Sequence, residues 1–220
     1  MATNLGQDRP VLTSNSTRLF VVIQGTLLGL VGMVHGIAET LQGNTPTGGV
    51  LLGSIGAFTL LPTYLITGMA AITVSCSLIV WTIGFIHKKN GPRIFFMLSL
   101  LLFLAGGGIA QVLFILITWG VSTRINIPGT WWRKVLPEQE RKRLAHVWAP
   151  LLFTSYVFLL IGIGIWLFVT PPGTPHQAPS IAYALCWSSL SIGLVLQIVT
   201  VIAGFARDSE RQAVVGSKHG

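Results

Sequence analysis

Charge is scarce in this sequence, and negative charge is scarcer still. Lys, Arg, Asp and Glu make up 9% of its 220 residues, and only six of those are acidic. Soluble domains carry about a quarter charged residues. With 51% hydrophobic residues and a mean hydropathy of +0.72, an ordinary soluble domain is excluded. Cysteine is scarce too. Cys76 and Cys186 both fall inside apolar runs, with no CxxC or CxxCH, so neither a redox dithiol nor a c-type haem is signalled. They read as small packing residues. No serine-nucleophile, zinc-helix or phosphate-loop signature is present, which leans the reading away from an enzyme. No cofactor and no metal centre are expected. Haem b between helices would want two facing histidines, and only His35 lies well inside an apolar run.

Long apolar runs are what the chain has. Five can be marked, at roughly 19–41, 62–86, 94–119, 148–169 and 181–206. Each approaches or exceeds the ~20 residues that cross a ~30 Å hydrocarbon core. The expected fold is an all-α integral membrane protein, a single membrane domain over 1–220 with five membrane-embedded helical segments. A polar tail (1–17), a basic linker (120–147) and a C-terminal tail (207–220) complete it. The polar tail and the length of the first run argue against a cleaved leader.

The net charge of +8 sits outside or at the ends of the apolar runs. That is the placement of cytoplasmic loop charges, not of a nucleic-acid interface. If all five segments cross, the N-terminal tail and the 87–93 loop put five cations on one side, and the linker and C-terminal tail put nine on the other. If the third segment enters and leaves on one side, all 14 share that side. The stretch FLAGGGIAQ, with Gly106, Gly107 and Gly108, offers a place for such a turn. Each glycine costs about 1 kcal/mol of helix propensity relative to alanine. Against it, glycine is common in membrane helices, and a re-entrant segment needs protein shelter for its open backbone. Two topologies therefore stand: five spans, or four spans plus a re-entrant third segment broken at Gly106–Gly108.

The first run ends in MVHGIAETLQGN. Gln24, His35, Glu39 and Gln42 fall within an arc of about 60° on a helix, with Gly25, Gly29, Gly32 and Gly36 on the adjoining arc. Glu39 is the one acidic residue in or bordering an apolar run. Polar groups facing lipid are expensive, so this face should pack on other helices, with Gln111 and Gln197 as candidate partners. In one reading Glu39 reaches interfacial water with His35 bonded to it. In the other, His35, Glu39, Gln42, Gln111 and Gln197 line a ligand or proton site.

The linker TRINIPGTWWRKVLPEQERKRLAHVW reads as interfacial. Trp131 and Trp132 suit the headgroup layer, and Pro137 with Glu138 and Glu140 opens a short helix. Arg133, Lys134, Arg141, Lys142 and Arg143 are candidate contacts for lipid headgroups, unless the loop is merely a solvated topology signal.

HGIAETLQGNTPTGG, FLAGGGIAQVLF and TRINIPGTWWRKVLP together resemble a group of small bacterial multi-pass membrane proteins to which no activity is attached. The resemblance implies a bacterial inner-membrane location and carries over no catalytic residue. Three functions stay open. The leading one is a non-catalytic subunit or accessory factor of a membrane assembly, suggested by the glycine-lined helix faces. The second is a small transporter or channel-like protein with its site around Glu39. The third is a membrane enzyme acting on lipid or quinone. Expected partners are membrane lipids and other membrane subunits.

Overall fold

A computed structural model describes residues 15–48, 51–52, 57–108, 111–125, 127, 130–169 and 180–217. Most of the N-terminal tail and the loop joining the last two helices lie outside those residues. Four helices are long and apolar enough to cross a membrane: α1 (Asn15–Thr40), α2 (Tyr64–Phe85), α6 (Glu138–Phe168) and α7 (Ser180–Ser217). A five-span count is not met, because the third apolar segment is not one helix. It divides into α3 (Gly91–Leu104), the extended stretch β3 (Ala105–Gly108) and α4 (Gln111–Ser122).

The two halves run back on each other. Phe96 and Trp119 would stand about 35 Å apart on a continuous helix, yet their rings meet at 4.8 Å between centroids. Pro92 pre-sets the first turn of α3, where its missing N–H costs nothing. The three glycines then remove the incentive to continue.

Shelter for the opened backbone comes from the uncharged loop after α1, which composition alone marked only as a connection. Its β1 (Leu51–Leu52) and β2 (Ala57–Thr59) pair antiparallel, and β2 pairs antiparallel with β3. Ala57 opposes Gly108, Thr59 opposes Ala105, and Leu60 N–H donates to the Leu104 carbonyl at 3.2 Å. Phe58 stacks on Phe103 at 5.0 Å. A sheet edge thus provides the bonds that lipid cannot.

Helix α1 is the post around which the rest assembles. Its glycines are filled by neighbours: a Cβ on Gly25 would meet Thr82 and Phe95, and one on Gly32 would meet Ser75 and Leu102. Helix α2 therefore runs antiparallel to α1, and α3 parallel to it. At the far side α6 and α7 form an antiparallel hairpin, with Gly162 against Leu190 and Gly193 against Leu159. The short helix expected at Pro137 is instead the start of α6, which continues for 31 residues through Pro150. No glycine or proline lies between Glu138 and the apolar run that starts at 148, so nothing ends the helix. Cys76 is exposed, Cys186 buried, and both are free thiols.

Buried Gln24 and Gln197 tie α1 to α7, the Gln197 amide donating to the Gln24 oxygen at 2.5 Å. Gln197→Leu should cost about 1–3 kcal/mol by orphaning Gln24. Gln24→Leu together with Gln197→Leu should recover most of it. Detergent unfolding of both single variants and the pair gives the coupling.

Candidate functional site

Near its C-terminal end α1 carries His35 and Glu39 one turn apart, and the turn-back of the third segment ends against them. Glu39 is fully buried, and neither carboxylate oxygen has a hydrogen-bond partner among the described residues. The carboxylate lies on the backbone of Gly106, where a Cβ would come within 2.5 Å of both oxygens. Gly106 has φ +106°, a conformation side-chain-bearing residues rarely adopt. Two separate constraints therefore demand glycine at the break.

His35 stands beside Gly108, whose Cβ would be 3.5 Å from Nε2 and 3.8 Å from the Gln111 amide nitrogen. Its Nδ1 is 3.1 Å from the Val31 carbonyl. A carbonyl only accepts, so Nδ1 carries the proton and Nε2 faces the glycines. The ring stacks on Trp166 at 5.5 Å and 18°. Gln111 is buried at the start of α4, its amide nitrogen also without a partner among the described residues. The result is a polar cluster on the glycine backbone: a carboxylate at Gly106, and an imidazole nitrogen and an amide at Gly108.

Three of the five candidate site residues meet there: His35, Glu39 and Gln111. Gln42 lies beyond the helix, exposed, with its amide near the Ala38 carbonyl at 3.4 Å. Gln197 is committed to Gln24, about four turns along α1 from Glu39. The expected bond between His35 and Glu39 is replaced by the bond to Val31. Nor does Glu39 reach water at the end of its helix, because its side chain is fully buried. Among the described residues no three His, Cys, Asp or Glu gather at one point.

The candidate headgroup contacts divide as well. Trp131 is exposed, and Trp132 stacks on Phe205 at 5.3 Å. Arg141 pairs with Glu210, Lys142 with Glu138 and Arg143 with Glu140. The last two pairs are solvent-exposed, where such contacts contribute little. Arg133 and Lys134 lie exposed on α5 (Thr130–Val135).

Two residues with specific tertiary contacts leave no signal in the sequence. Trp166 is indistinguishable from any aromatic in an apolar run. Asp208 reads as a tail residue, yet it accepts from Ser16 N–H (2.9 Å), Thr17 N–H (2.9 Å) and the Thr17 hydroxyl (2.6 Å), closing the start of α1. No family model, curated protein or solved structure matches the chain.

Proposed function

We propose that this is a small multi-pass transporter or channel-like protein of a bacterial inner membrane, with Glu39 taking up a proton or a small monovalent cation at the tip of a re-entrant third segment. One observation carries the reading: a fully buried carboxylate without a donor among the described residues, set against the glycine break of a doubled-back helix pair. An ionisable group at membrane depth is expensive to keep and usually marks an ion or proton path. Broken membrane helices commonly place such sites at the break.

The distribution of cations supports the re-entrant topology. Arg124 lies with Thr17 at one cleft, Arg207 lies 4.6 Å from the Trp148 ring, and Asp208 joins Ser16, so these basic segments gather at one end of the bundle. That end becomes cytoplasmic by the positive-inside rule, and the uncharged sheet faces out. A subunit role has less behind it than the glycine faces promised. Gly25, Gly29, Gly32 and Gly36 are all occupied by α2 and α3 of the same chain.

The test is flux through purified protein in liposomes under an imposed pH gradient, read by an internal pH dye with Na⁺ or K⁺ as counter-ion. Wild type should dissipate the gradient, and Glu39→Gln should lower the rate at least tenfold while unfolding at a similar temperature. Equal rates for the two proteins, or none above protein-free liposomes for wild type, would sink the proposal.

A further inference from the structure

A concavity lies at the cationic end, far from Glu39. Helices α4 and α7 both pack on α1 and leave a cleft of about 630 Å³ between them. Ile117 and Gly120 of α4 face Val201 and Phe205 of α7 across it, and Trp132 of α5 closes one end. The cleft lies where α4, a half-length helix, stops at Ser122 and α5 packs on α7 beyond it.

We propose that this cleft binds a single anionic glycerophospholipid, one acyl chain between α4 and α7 and the phosphate at Arg124. The walls are apolar, and the charges at the mouth are asymmetric. Asp208 lines the cleft, but both its oxygens are engaged by the first turn of α1. Arg124 is exposed and has no ion pair among the described residues. The charged lining group left free to bind is therefore Arg124, and guanidinium matches a phosphate in geometry as well as sign. Exposed Trp131 and the stacked Trp132 sit where a headgroup layer would be. The cleft is also in the size range of small-ligand sites.

Gly120 makes the proposal testable without disturbing the fold, since a Cβ there meets nothing within 4 Å. The protein is equilibrated in vesicles of equal phosphatidylglycerol and phosphatidylcholine, gently extracted and weighed by native mass spectrometry. Wild type should retain one phosphatidylglycerol in about tenfold preference to phosphatidylcholine. Arg124→Gln should abolish the preference while keeping some lipid of either kind, and Gly120→Leu should lose the bound lipid altogether. Equal retention of both lipids by wild type, an unchanged preference in Arg124→Gln, or wild-type retention by Gly120→Leu would each overturn it. So would a second copy of the chain that Gly120→Leu releases.

Discussion

Gly106→Ala should destabilise the detergent-solubilised protein by about 3 kcal/mol, a large effect for adding one methyl group. Part of this arises from the backbone, because a φ of +106° costs a residue with a Cβ about 1–3 kcal/mol. The rest arises from the Glu39 carboxylate, both of whose oxygens lie within 2.5 Å of the new methyl's position. The two parts separate in a double-mutant cycle. Glu39→Ala with Gly106→Ala should be less destabilised than the sum of the single changes, because only the steric part is relieved. Gly84→Ala is the control. It lies in α2 with nothing within 4 Å of a Cβ, and should be neutral or gain up to about 1 kcal/mol. Thermal unfolding of the four variants decides the matter. A Gly106→Ala protein as stable as wild type would mean that the third segment does not break as described.

Asp208→Ala should cost a comparable amount, about 3 kcal/mol, although Asp208 is remote from Glu39. Its carboxylate satisfies two N–H groups in the first turn of α1 and the Thr17 hydroxyl, and it is buried. The first N–H groups of a helix have no partner within it, and they form its positive end. A side chain from α7 thus caps α1 across the whole length of the chain. Removing it strands buried donors, and the better helix propensity of alanine returns only about half a kcal/mol. Asp208→Asn should recover less than half of the loss, since its amide group would turn a donor toward one of the α1 N–H groups. Unfolding temperatures in detergent should rank wild type, then Asn, then Ala. Equal values for Asn and wild type would show that the charge at the helix end contributes nothing.

The periodicity of α1 made half the polar cluster legible in advance. His35 and Glu39 share a face with four glycines, and that face is buried as polar groups in lipid require. Gln111 was legible only by its place after the triple glycine. The turn itself stood even between two topologies, since local propensity disfavours a helix through three glycines without saying what replaces it. What replaces it is a strand partner from the 42–61 loop, a pairing between residues about 50 apart in sequence. Short apolar pieces on either side of GSIG do fit a hairpin pattern. In a chain dominated by helix-length runs, that pattern is easily passed over. Gln42 and Gln197 shared the right helix face or depth and still went elsewhere. One lies past the end of its helix, and the other found a closer amide in Gln24. Asp208 was invisible because its role depends on where α7 ends relative to α1, which no local pattern encodes.

The account rests on a third segment that turns back at its glycines and lays its tip on Glu39. Sided labelling of single cysteines in intact vesicles tests this most directly, with Cys76 and Cys186 first replaced by serine. Asn90→Cys precedes α3, Gln139→Cys follows α4, and Asn44→Cys lies beside the sheet; all three positions are exposed. A membrane-impermeant maleimide should reach positions 90 and 139 from the same face, and position 44 only from the other. Labelling of positions 90 and 139 from opposite faces would make the segment a true span and contradict the account.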